Sequence, residues 1–254
     1  MTRTFNTHIS SLKPGLLALL MVVSIGVYAQ QGSPNKEVFY EKGVSKKPSR
    51  VSIPHLHQYA EERTMEFDLI PEERKKELRQ LSSYIRKTRA ERRRVQLTFI
   101  CTGNSRRSQL AQIWASTGAA YYGISGIETY SGGTVVTAFN RRIARTLVGA
   151  GFEVETKPGQ NEDFKVSFSP EEAPIVCHSK AYNSPENPKS HFIAVLLCSD
   201  ADAVCPVVPG AEYRVFIPYV DPKESDHTEE EREIYKERNA QIAREMLFVM
   251  SLVR

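Results

Sequence analysis

The sequence predicts an α/β fold with three layers and a central parallel sheet, and three stretches predict it. Val95, Leu97, Phe99 and Ile100 form a β-prone run that delivers Cys101 to the carboxyl end of a strand, and a helical pattern with Leu110, Ile113 and Trp114 on one face begins near Ser108. Ile127 to Ser131 reads as a second strand ending in Ser131-Gly132-Gly133, followed by a helix over Ala138 to Ala150 that Gly151 closes. Phe192 to Cys198 is an unbroken apolar run and reads as a buried strand. Strand, helix, strand, helix in that order implies parallel pairing, with the loop after Cys101 at the carboxyl edge of the sheet.

The chain has 254 residues, 41% of them apolar and 25% charged, which suits one globular domain with extensions. Residues 1–29 read as a secretory signal peptide: Arg3 and Lys13 precede the largely apolar run Leu16 to Val27, and Val27-Tyr28-Ala29 ends it with small residues, Val27 and Ala29, at the cleavage-determining positions. Export to a bacterial periplasm is the expectation, with membrane attachment only through an uncleaved signal segment. Removing that segment lowers the formal charge from +4 to +2. Residues 30–56, rich in Ser, Pro, Lys and Gly, read as a linker. Residues 57–94 turn helical, with Pro71 at a first helical position and Leu78, Leu81, Tyr84 and Ile85 at three- and four-residue spacings, and residues 95–254 form the main domain. The helical extension is expected to pack on that domain.

The basic cluster Arg86, Lys87, Arg89, Arg92, Arg93 and Arg94 lacks interleaved aromatic residues, so it reads first as a solvated helix face and only secondarily as a patch that draws anions toward the neighbouring loop, and nucleic acid is excluded as a partner.

Cys101 begins C-T-G-N-S-R-R-S, and this is where the sequence carries chemistry. Free N–H groups of a loop and a helix N-terminus make an electropositive nest for a tetrahedral oxyanion, and the same field favours a thiolate. Arg107 offers paired donors to two oxyanion oxygens. Gly103 is expected to supply positive φ and close backbone approach, while Thr102, Asn104, Ser105, Arg106 and Ser108 complete the oxyanion-binding loop, with Ser108 placed to hydrogen-bond the sulfur. No cofactor and no metal ligand set is expected; Cys177-His178 is a lone dipeptide with a structural role.

This segment resembles the phosphate-binding loop of the low-molecular-weight tyrosine phosphatases and of the thioredoxin-coupled arsenate reductases that share their fold. The Y-S-G-G turn at 130–133 and the A-F-N-R-R-I-A-R-T-L stretch at 138–147 extend the likeness. The fold it implies is phosphotyrosine phosphatase I-like. Arg106 stands where many members carry a second cysteine, and Gln112 stands where some arsenate reductases use Glu in a cation-linked network, which argues against potassium dependence. Residues 164–187 are longer than in most members and are expected to form a flap or edge at the substrate entrance.

A second stretch, C-S-D-A-D-A-V-C-P, places six residues between Cys198 and Cys205. The spacing fits a stabilising bridge in an exported protein or a redox pair. The stretch resembles the mobile redox segment of the arsenate reductases. That resemblance implies a relay in which Cys101 attacks arsenate, Cys198 attacks the Cys101 sulfur, and Cys205 takes over the disulfide for a thioredoxin-like reductant. Asp221, in I-P-Y-V-D-P-K-E, resembles the general acid of the phosphatases. Three readings follow: reduction of arsenate, hydrolysis of phosphomonoesters through a Cys101 phospho-enzyme, and a non-enzymatic oxyanion-binding or redox-sensing module, against which the combination of Cys101, Arg107 and Asp221 counts. Thr228 and Glu231 are spaced as a capping box for a final helix running to Leu252, whose methionines are core packing.

Overall fold

The computed structural model describes residues 48–156, 163–199, 201 and 207–254. The expected signal segment, most of the linker and Cys205 lie outside the described residues. Four parallel strands form the central sheet in the order β2-β1-β6-β7: β1 (Val95–Cys101), β2 (Ile127–Gly133), β6 (Phe192–Leu196) and β7 (Ala211–Phe216). The register pairs Cys101 with Gly133, so the reactive cysteine and the glycine turn emerge together. Every residue of β6 is buried, as its unbroken apolar run requires.

Helix α3 (Arg107–Tyr121) starts directly after the Cys101 loop, and α5 (Glu231–Ser251) packs along it. The sequence predicted one apolar face for α3; almost the whole helix is buried instead, because the sheet covers one side and α5 another. The predicted capping box does not form. Helix α5 begins only at Glu231, whose carboxylate reaches back to accept the His227 amide at 2.8 Å, while the Thr228 hydroxyl donates to the Ser225 carbonyl.

The N-terminal extension forms α1 (Pro54–Thr64) and α2 (Glu72–Ala90), with Pro71 capping α2 from just outside. Helix α1 begins inside the stretch that composition marks as linker. Tyr59 stacks on Trp114 with ring centroids 5.6 Å apart, and Asn239 joins them by accepting from Trp114 Nε1 and donating to the Tyr59 hydroxyl. Gly151, at φ 100°, ends α4 (Arg141–Gly149); a Cβ there would lie 2.6 Å from the Leu56 amide nitrogen, so only glycine allows α1 to approach. Helix α2 buries Leu78, Leu81 and Ile85 and packs on α5, β7 and β1, with the Ser82 hydroxyl donating to Val249 O.

The arginine cluster at 86–94 precedes β1, at the amino end of the strand. Cys101 lies at the other end, about 20 Å away at ~3.3 Å per residue. The cluster is also spent on local partners: Arg93 pairs with Glu91 and Glu212, Arg94 with Glu128, and Arg89 with the Ser125 carbonyl. The cluster is thereby set apart from the Cys101 loop.

A second, antiparallel sheet joins β3 (Glu153–Thr156), β4 (Phe164–Ser167) and β5 (Ile175–Cys177) in that order. Strand β3 escaped sequence reading because its residues are largely exposed and show no apolar alternation. Among the described residues no helix is long and apolar enough to cross a membrane.

Candidate active site

The loop Cys101–Ser108 is shaped by what its carbonyls bind. Cys101 O accepts from the Thr134 amide, Thr102 O from Val135, Ser105 O from Asn140 and Arg106 O from Leu110. Gly103 O accepts from the hydroxyls of Thr137 at 2.6 Å and Ser179 at 2.9 Å, and Asn104 O from Gln109 Nε2 at 3.1 Å. In a trans peptide the N–H points opposite to the C=O. Six successive carbonyls turned toward the surrounding elements therefore turn the loop amides toward the concave side, at the N-terminus of α3.

The tight turn falls one residue later than the sequence predicted. Asn104 has the positive φ, 43°, and Gly103 does not. Asparagine tolerates this conformation because its side chain is tied down: Nδ2 donates to Ser108 Oγ at 2.8 Å and Oδ1 accepts from the Lys180 amide at 2.9 Å. The Ser108 oxygen accepts that hydrogen bond and lies within hydrogen-bond distance of Cys101 Sγ, 3.1 Å away, with its own hydrogen available to the sulfur. The glycine that the loop does need is Gly133. A Cβ there would sit 2.7 Å from Thr102 O and 2.8 Å from the Asn104 nitrogen.

The 164–187 insertion contributes braces at this point. Ser179 holds Gly103, Lys180 holds Asn104, and residue 181 bridges to Gly133 in parallel fashion. Gln112 donates to the Thr129 carbonyl at 3.0 Å. His178 lies between Asp163 and Glu186, at 3.2 Å from each, and its carbonyl accepts from Gln109; among the described residues no group of three or more His, Cys, Asp or Glu is arranged to hold a metal ion.

Cys101 and Arg107 are both buried, at 3% and 8% exposure. Arg107 donates to the Tyr219 carbonyl at 3.1 Å and to Asp221 at 2.8 Å; Arg106 donates to the other Asp221 oxygen at 2.8 Å. Burial would raise the Asp221 pKa, but the two guanidinium groups outweigh it and hold the carboxyl below its ordinary value. Arg106, predicted only as part of the loop, is therefore also a partner of Asp221. Cys198 is buried where β6 ends, and its sulfur lies 3.4 Å from the Thr102 hydroxyl, one residue from Cys101. Cys101, Cys177 and Cys198 are free thiols. Ser105 takes part through its carbonyl. Sequence reading missed Ser179, Thr137, Gln109 and Tyr219; none belongs to a local motif, and only the proximity of Tyr219 to Asp221 in I-P-Y-V-D-P marked it.

A buried cysteine in an amide-lined loop between a parallel strand and a helix, with an arginine closing the loop, defines a cysteine-dependent enzyme acting on tetrahedral oxyanions. Residues 96–167 match the family described as low molecular weight phosphotyrosine protein phosphatase. An arsenate reductase of Brevibacillus brevis is 30% identical over 134 residues, spanning 53% of this chain and 81% of the relative. One of Halalkalibacterium halodurans is 28% identical over 134 residues, spanning 53% and 78%. The crystal structure of a low molecular weight phosphotyrosine phosphatase from Vibrio cholerae O395 aligns with a TM-score of 0.44 at 14% identity, over 62% of this chain and 94% of that one. The chain belongs to the low molecular weight phosphotyrosine protein phosphatase family, and within it is similar to the arsenate reductases.

Proposed function

We propose that the protein reduces arsenate to arsenite through Cys101, Cys198 and Cys205. The observation that carries this reading is the placement of the Cys198 sulfur against Thr102, beside the loop that holds Cys101. The relatives named arsenate reductases point the same way. In the first step the Cys101 thiolate attacks arsenic while the loop amides and Arg107 hold the arsenate oxygens, and one arsenic oxygen leaves as water after protonation. Cys198 then attacks the Cys101 sulfur as a thiolate. The S–S bond forms, the S–As bond breaks, and its electron pair goes to arsenic, which departs as arsenite. Cys205 attacks Cys198, freeing the Cys101 thiolate and leaving a Cys198–Cys205 disulfide. An external dithiol of thioredoxin type returns the pair to thiols, so two thiols are oxidised for each arsenic reduced.

Asp221 favours a second reading, phosphomonoester hydrolysis with Asp221 protonating the leaving oxygen. Its low pKa beside Arg106 and Arg107 weighs against that role near neutral pH, because little of it is protonated there. Purified protein supplied with a dithiol is expected to release arsenite from arsenate, and Cys198→Ser to stop that turnover while sparing any aryl-phosphate hydrolysis. Aryl-phosphate hydrolysis without arsenate turnover would transfer the assignment to the second reading. Export is part of the same proposal: the mature chain, isolated from its source, should begin at Gln30 by N-terminal sequencing. An exported relay also requires a reducing partner outside the cytoplasm.

A further inference from the structure

We infer that Arg74, on the helix α2 that precedes the family match, is a positioning residue for the active site through the segment Pro218–Asp221. The inference rests on the oxyanion-cradle reading of the Cys101 loop. Arg74 spans three elements at once: Nη2 donates to the Pro218 carbonyl at 2.9 Å, Nε to Glu245 of α5 at 2.8 Å, and Nη1 to Glu77 of its own helix at 2.6 Å. Its guanidinium also lies over the Tyr219 ring, 4.7 Å from the centroid. The Tyr219 hydroxyl donates to the same Glu245 oxygen that Arg74 binds, at 2.8 Å. Glu245 and Tyr219 are 2% and 4% exposed, so this network is shielded from water, where such bonds are strong and their loss is costly.

The next carbonyl along the segment is the active-site connection. Arg74 binds Pro218 O, and Arg107 binds Tyr219 O before reaching Asp221. One arginine anchors the segment from α2, while the arginine of the oxyanion loop binds the adjacent carbonyl. Moving Pro218 or turning the Tyr219 peptide withdraws an acceptor from Arg107 and displaces Asp221 together with its hold on Arg106. The helical extension thus sets the orientation of the guanidinium groups that face the oxyanion, although it touches no substrate.

Lysine at 74 keeps the charge beside Glu245 but cannot make three divergent planar contacts. The test is calorimetric titration of the full chain with inorganic phosphate, for wild type, Arg74→Lys and Leu78→Ala. Leu78 lies in the same helix and is fully buried, so Leu78→Ala loosens α2 while removing none of the Arg74 hydrogen bonds. The expected result is phosphate affinity reduced about tenfold in Arg74→Lys and unchanged in Leu78→Ala, measured below the unfolding transition of each. Equal affinity in Arg74→Lys and wild type overturns the inference, as does an equal loss in Leu78→Ala, which would mark the role of α2 as general stabilisation. Should Arg74→Lys not fold, Glu245→Gln reads the same contrast, since it retains the acceptor for Tyr219 but removes the charge that orients Arg74; wild-type affinity there overturns the inference. Failure of wild type itself to bind phosphate or arsenate would instead remove the cradle reading on which the inference stands.

Discussion

Cys101 and Cys177 both end β-strands, both are free thiols and both are buried, yet they sit in opposite chemical settings. Cys101 closes a parallel strand ahead of a helix, and its sulfur hydrogen-bonds the Ser108 hydroxyl inside a loop whose carbonyls are bound by neighbouring groups. Cys177 closes an antiparallel strand, and its sulfur contact is the Ile175 carbonyl at 3.7 Å, an acceptor that offers a thiolate nothing. Burial pushes the Cys177 thiol up to about 12, against a smaller opposing pull from Lys180. Withdrawal from water by itself disfavours a thiolate, whereas hydrogen-bond donors aimed at a sulfur favour one.

The contrast is broken most severely at Cys101. Cys101→Ser is expected to drop arsenate and aryl-phosphate turnover to background with the fold intact, as judged by circular dichroism, and to abolish rapid alkylation of the native protein at neutral pH. Persistence of that alkylation in the variant would mean that another thiol is the reactive one.

Asp221 sharpens the comparison by asking what the charges around the loop contribute. Its folded pKa lies below the ordinary value of 3.8, so the carboxylate is ionised in both states well above that value, and its pairing with Arg106 and Arg107 contributes its full stability there. That contribution is lost as pH falls through the lowered folded pKa. Wild type should therefore unfold at a higher temperature than Asp221→Asn by a constant margin between about pH 5 and 8, and the margin should close below about pH 4. A margin that persists at the acid end would show that the pairing is not what the carboxylate supplies.

The smallest effect belongs to Cys177. Cys177→Ala should leave turnover unchanged and cost about 1 kcal/mol of stability in a denaturant titration, the scale of a small cavity in a packed core. A marked change in turnover would give the second sheet a catalytic part that its chemistry does not suggest.

The reactive loop was legible because it is local: strand, glycine-bearing loop and helix occupy consecutive residues, so apolar pattern and spacing alone set Cys101 before a helix N-terminus. The positive φ was placed on Gly103 because glycine is the usual bearer. Asn104 has it because Ser108 and Lys180 hold its side chain, and Lys180 is 76 residues distant. The capping box at Thr228 and Glu231 failed for a related reason. A side chain chooses among the amides that the tertiary path presents, and here that path offers His227. The arginine cluster at 86–94 could not be oriented from the sequence, because charge in a sequence carries no direction; in the fold the strand that follows separates it from the loop.

By itself the sequence determined the parallel α/β order, the placing of Cys101 and Arg107 in one strand–loop–helix junction, and the second thiol just past a buried strand, since each depends on residues a few positions apart and on the strand and helix periods they obey. Only the tertiary structure decided that Ser179 and Lys180 would brace the loop, that Arg106 and Arg107 would share Asp221, and that Arg74 would reach Pro218 from a helix outside the family match. Those contacts join residues far apart in the chain. They arise because buried carbonyls and carboxylates must find donors wherever the packed fold brings them.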